Sequence, residues 1–209
     1  NAARVAEMLR ECGKLGVPYA IIFSSGFSET GGKGVDMQRE ITAIAAEYDI
    51  GIIGPNCQGM INPAQRVYAG FGSVFGVEYE PGGISMVSQS GGFGFSVMNL
   101  AAQEGGLNFR QTVTTGNEIG VSSLDFMNYF IEDEQTAIIV GYIEGLKDAH
   151  RLIATGNRAL EKKKPIFAWK VGNTDEGQKA AASHTANLGG AMALYKAAFR
   201  QAGIIQVDD

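Results

Sequence analysis

The feature that most constrains this chain is a strict alternation of strand-like and helix-like segments. From residue 83 onward, short apolar runs near 83 to 88, 110 to 115, 136 to 142, 165 to 171 and 204 to 207 take turns with helical segments near 92 to 104, 122 to 131, 148 to 162 and 190 to 202. Consecutive strands separated by helices are joined by crossovers, and each helix must bury its apolar side on the sheet. The pattern therefore predicts an α/β protein with a doubly wound parallel sheet covered on both faces.

The first third reads as part of a second unit. Val5, Met8, Leu9 and Cys12 fall at helical spacing, Tyr19 to Phe23 is a short apolar strand, and Met37 to Glu47 is an amphipathic helix carrying Ile41, Ile44 and Ala45 on one face. A strand at Gly51 to Ile53 follows. Residues 60 to 82 carry no clear period and end in Glu80-Pro81-Gly82-Gly83, so a domain boundary is expected there, dividing 1–81 from 82–209. A dinucleotide-type fold should begin with a strand and a glycine turn, whereas this sequence starts on a helix. The expectation is a fragment of a longer protein.

Composition narrows the function. The 29 glycines among 209 residues are roughly twice ordinary usage, as expected where many strand ends lead into tight loops. A net charge of -5 argues against nucleic acid as a partner. No apolar run approaches the ~18 residues of a membrane span, and no charged-then-apolar leader opens the chain. The two cysteines, Cys12 and Cys57, are too few for a disulfide scaffold and lack metal-site spacing, so a reducing cytoplasm is the expected home and no metal site is expected.

Four segments carry candidate chemistry. Ser88-Gln89-Ser90-Gly91-Gly92 follows a strand and opens a helix, with Ser90 as the expected N-cap; such a turn is a phosphate cradle or simply a glycine-rich bend. Glu144, just after the run Ala137 to Val140, is either a carboxylate placed to accept a hydrogen bond from an imidazole or a solvated strand-end acid. Gly54-Pro55-Asn56-Cys57-Gln58-Gly59 is another loop at a strand's carboxyl end, where α/β proteins place ligands. Ser183-His184-Thr185 precedes an apolar helix pattern. An imidazole there can carry a phosphoryl group, or it can be a polar residue in a capping loop.

Taken in order, Gly26 to Gly31, Gly54 to Gly59, Ser88 to Gly92, Gly116-Asn117-Glu118, Tyr142 to Gly145 and Ala182 to Thr185 resemble the NDP-forming acyl-CoA synthetases. That superfamily includes succinyl-CoA synthetase and ADP-forming acetyl-CoA synthetase. The resemblance implies a partial Rossmann-like CoA-binding domain followed by a flavodoxin-like CoA-ligase domain. It implies that His184 is phosphorylated, that Glu144 holds it, and that Ser90, Gly91 and Gly92, with Gly116 and Asn117, bind phosphate. Gly26, Glu29, Asn56 and Cys57 would lie on the CoA and acyl side. CoA, ATP and Mg are the implied cofactors, the last two bound mainly by an ATP-grasp domain or subunit absent from these residues, and a homo- or hetero-oligomer is expected. The implied reaction joins a carboxylic acid to CoA through a phosphohistidine and an acyl phosphate. The alternatives are a CoA-binding relative without catalysis, or an enzyme in which ligation precedes a second step such as elimination.

Two positions depart from the family pattern: Ala186 stands where many relatives have glycine, and Gly120 where many have aspartate. Four further residues or segments are expected to be structural. Cys57 reads as packing near the CoA thiol rather than as a nucleophile, His150 as a surface residue at a polar helix start, Glu161 to Lys164 as a solvated helix end, and Lys170, which could reach a phosphate, as a solvent-facing strand-end charge.

Overall fold

The computed structural model describes residues 1–146, 148–171 and 192–207. Two sheets organise them. β1 (Tyr19–Ile21) and β2 (Gly51–Ile53) form a parallel pair, and α1 (Val5–Lys14) and α2 (Lys33–Tyr48) bury Leu9, Ile41 and Ile44 with Ile22, Ile50 and Ile52. The second sheet has seven strands. It comprises β3 (Gly59–Asn62), β4 (Val67–Gly70), β5 (Ile84–Ser88), β6 (Phe109–Thr114), β7 (Ile138–Ile143), β8 (Ile166–Lys170) and β9 (Ile205–Gln206), in the order β4-β3-β6-β5-β7-β8-β9.

β5 to β9 run parallel, as the alternation requires, and helices cover both faces. The pleat sends neighbouring residues to opposite layers. Val87 and Val113 meet α4 (Ser123–Glu132), α5 (Ala149–Glu161) and α6 (Met192–Gln201) in a core that includes Met127, Phe130, Leu152 and Phe199. Met86 meets α3 (Gly91–Gly105) through Phe95 and Met98 on the other face.

The purely parallel expectation needs correcting at one edge. β3 is antiparallel to both β4 and β6, with Met60 opposite Ala69 and Val113, so a stretch with no clear sequence period extends the second sheet. The stretch upstream of residue 82 thus supplies two strands to the sheet that lies mainly downstream of it. Thr114 stitches the junction: its hydroxyl donates to the Gly59 carbonyl at 3.0 Å and accepts the Gln58 and Gly59 N–H groups at 2.9 Å. No helix among the described residues is long and apolar enough to cross a membrane.

Candidate functional site

The loops that follow β1, β2, β5, β6 and β7 line one cleft of about 400 Å³. All leave the carboxyl ends of parallel strands, where helix starts and strand ends diverge and leave a crevice. Into this cleft the structure brings Asn56, Cys57, Ser90, Gly91, Gly92, Gly116, Asn117 and Glu144, eight of the expected site residues. Gly26 and Glu29 do not line it. His184 lies outside the described residues, so its distance to the cleft is not part of the structure, and the same holds for Ala186.

Ser90 caps α3 as expected, accepting the Phe93 N–H at 3.4 Å. Gly91 and Gly92 are the first residues of the helix, and their N–H groups are among those an α-helix cannot use internally. They carry the positive end of the helix dipole into the cleft and are suited to an anion. Gly91 is also sterically required, since a Cβ there would stand 2.8 Å from the Gln58 Cβ. Gly116 has φ +55° and its Cβ would fall 2.2 Å from the Pro55 carbonyl oxygen, so only glycine lets the β6 loop close on the β2 loop.

Glu144 follows β7 directly, and its backbone is clamped from both sides. Gln89 Oε1 accepts the N–H groups of Glu144 at 2.6 Å and Gly145 at 2.9 Å, while its Nε2 donates to the Gly145 carbonyl at 2.8 Å. Lys170 Nζ donates to the Glu144 carbonyl at 2.9 Å and to that of Val171, and the Tyr195 hydroxyl accepts the Leu146 N–H at 3.0 Å. Sequence reasoning passed over Gln89 and Tyr195. The available signal for Gln89 was its position between two cradle serines on a strand end, where the pleat turns it away from Ser90.

Lys170 requires a correction. It is not solvent-facing: the residue is 2% exposed, and burial pushes its ammonium below the ordinary value of 10.5 while the Glu144 charge opposes that shift. β8 lies between β7 and β9, so its last side chain is covered by α6 rather than by water.

Asn117 lines the cleft, yet its amide is engaged elsewhere. Nδ2 donates to Glu29 Oε2 at 2.6 Å and Gln38 Oε1 at 3.0 Å. Glu29 in turn accepts the Gly26 and Phe27 N–H groups at 2.6 and 3.1 Å. Burial works against ionisation of Glu29, but the hydrogen bonds from Asn117 and Gly26 outweigh it and hold the carboxyl below its ordinary value of 4.5. Gly26, Glu29 and Asn117 therefore form a brace between the β1 loop and the second sheet. Glu118 was not expected to do anything; its carboxylate accepts from Thr115 Oγ1 and the Ser123 N–H, both at 2.8 Å, beside the start of α4.

Cys57 is no nucleophile. Its thiol donates toward the Ile22 carbonyl at 3.5 Å, and burial pushes it up to about 12. His150 is exposed at the start of α5, as expected. At the end of α5, Lys162 is exposed and pairs with Glu132, but Lys164 turns inward to donate to the Asp133 carbonyl at 2.6 Å. Among the described residues no three His, Cys, Asp or Glu side chains gather to hold a metal ion.

Comparison with known proteins matches residues 81–209 to the succinyl-CoA ligase like flavodoxin domain. The chain is 43% identical over 202 residues to an acetate–CoA ligase (ADP-forming) of Methanocaldococcus jannaschii, covering 97% of this chain and 28% of that protein. It is 36% identical over 201 residues to the alpha subunit of acetate–CoA ligase (ADP-forming) II of Pyrococcus furiosus, covering 96% and 43%. The structure of dinucleotide-forming acetyl-coenzyme A synthetase 1 from Candidatus Korarchaeum cryptofilum, in complex with phosphate and ADP, superposes with a TM-score of 0.90 at 31% identity, over 100% of this chain and 44% of that one. The chain thus spans less than half the length of each of these relatives. With residues 81–209 matched to that domain and the likeness extending across nearly the whole chain, the chain belongs to the succinyl-CoA ligase like flavodoxin domain family, within the NDP-forming acyl-CoA synthetase superfamily.

Proposed function

We propose that this chain is the CoA-ligase portion of an ADP-forming acid:CoA ligase in which His184 carries the phosphoryl group. The supporting observation is the meeting, in one cleft, of the α3 start with the clamped Glu144 loop. The first supplies N–H donors for phosphoryl oxygens; the second supplies a carboxylate that can accept an imidazole N–H, fix its tautomer and favour its charged form.

On this reading an imidazole nitrogen of His184 takes the γ-phosphoryl group of ATP and ADP leaves. A substrate carboxylate oxygen then attacks phosphorus, the P–N bond breaks, and an acyl phosphate forms with His184 restored. The CoA thiol, losing its proton, adds to the acyl carbon, and the C–O bond breaks to release phosphate and the thioester. The chain's own residues contribute position and charge, as is usual for phosphoryl transfer. On the same reading CoA and the acyl group take the side of the cleft lined by Asn56 and Cys57, and Gly26 and Glu29 serve that side through the loop they brace. ATP and Mg belong mainly to an ATP-grasp part, supplied by the remainder of the protein or by a partner subunit.

The test uses the full-length enzyme with ATP and Mg. An acid-labile, base-stable phosphoprotein should form and disappear in His184→Ala. Glu144→Gln, which keeps size and hydrogen bonding but removes charge, should slow its formation or decay roughly ten- to a thousandfold. Persistent labelling of the alanine variant overturns the assignment of His184, and unchanged kinetics in the glutamine variant reduce Glu144 to a strand-end acid.

A further inference from the structure

Lys170 occupies an unusual position for a lysine. It ends β8 inside the protein, donates to the carbonyls of Glu144 and Val171, and rests 4.7 Å from the centre of the Tyr195 ring. Tyr195 also holds the Leu146 N–H, and Gln89 holds Glu144 and Gly145 from the opposite side. Three consecutive residues are thus fixed by three side chains drawn from β8, α6 and the β5 loop. Burying an ammonium is costly, and a methionine of similar volume would fill most of the space without that cost. A charge kept in such a place needs a use that packing does not supply.

We propose that Lys170 is a positioning residue, a buried cation that holds the Glu144 loop at the mouth of the α3 cradle. The proposal rests on the reading that Glu144 serves His184. Among the described residues, the ionisable groups facing Lys170 are Glu144, whose charge it senses, and Tyr195, on whose ring it lies. As pH climbs through its lowered native value the ammonium loses its charge and its attraction to Glu144. An arginine in its place stays charged.

The experiment uses the full-length enzyme and its Lys170→Met and Lys170→Arg variants. Two quantities are followed: phosphoryl labelling of His184 against pH, and hydrogen exchange of the Glu144, Gly145 and Leu146 amides. The methionine variant should label about ten- to a hundredfold more slowly, the worth of one charge-assisted hydrogen bond, and those amides should exchange faster while the β5 amides stay protected. The arginine variant should recover most of the rate and carry it to higher pH than the wild type. Wild-type labelling, an unmoved alkaline limb and unchanged exchange in folded Lys170→Met overturn the proposal. Should that variant not fold, an alkaline limb unmoved in Lys170→Arg overturns it instead. Should the wild type itself carry no phosphoryl group on His184, the proposed function fails, and the exchange measurement alone decides whether Lys170 holds the loop.

Discussion

Gln89 and Glu144, 55 residues apart, are joined by a 2.6 Å hydrogen bond from the Glu144 N–H to the Gln89 side-chain oxygen. One amide side chain thereby ties the turn that opens α3 to the turn that closes β7. Replacing it with leucine removes three hydrogen bonds to Glu144 and Gly145. At about 1 kcal/mol each, Gln89→Leu should lower unfolding stability by about 3 kcal/mol, read from the urea midpoint at constant slope. Phosphate affinity of the cleft should fall with it, and a variant of wild-type stability contradicts the clamp.

Neighbouring glycines separate steric need from cradle chemistry. Nothing lies within 4 Å of a Cβ built at Gly92, whereas one at Gly116 meets the Pro55 carbonyl at 2.2 Å with φ at +55°. Gly92→Ala should match or exceed the wild-type melting temperature, because alanine is favoured in a helix by up to about 1 kcal/mol. Gly116→Ala should destabilise by more than about 1 kcal/mol. Equal melting temperatures for the two would refute the loop-closure argument.

Cys57 should stay unmodified in the native protein. Its thiol is neutral well above physiological pH, so raising pH from neutral toward about 9 should not speed its alkylation by iodoacetamide; labelling should appear only with unfolding. Peptide mass analysis after a timed pulse distinguishes Cys57 from the half-buried Cys12.

Asp133 gives a pH-dependent stability term of defined sign. Burial works to raise its carboxyl, but the hydrogen bond from Thr136 at 2.7 Å and the Arg110 guanidinium at 3.1 Å outweigh it and hold the group below the ordinary 3.8. An acid lowered on folding contributes stability above its unfolded value and loses it as pH falls through the native one. Asp133→Asn should therefore cost about 1–2 kcal/mol at neutral pH, a difference that shrinks below pH 3.8. A penalty independent of pH would place the effect in packing.

Lys170 gives a second term of the same sign at alkaline pH, this time because folding disfavours the charged form. Its native value lies below 10.5, so between the two values the unfolded chain binds more protons and stability rises with pH. Lys170→Met should remove that rise in thermal melts taken from neutral to alkaline pH. A wild-type stability that falls across this window through Lys170 contradicts its burial as a charged group.

The sequence by itself determined the order of elements, because each is encoded locally. The apolar run Ile138 to Ile143 and the spacing of Leu124, Met127 and Ile131 report strand and helix without reference to distant residues. Ser90 as a helix cap and Glu144 beyond β7 were legible for the same reason. Tertiary structure alone decided the rest. β3 and β4 are four residues each with no strong period, and they are strands because β6 offers a free edge to Met60 and Ile61. Asn117 turns to Glu29 across 88 residues, and Lys170 is buried because α6 folds over the end of β8. Hydrogen bonds between residues so far apart leave no periodic trace in the chain, since they depend on which loops the sheet order brings to the same end.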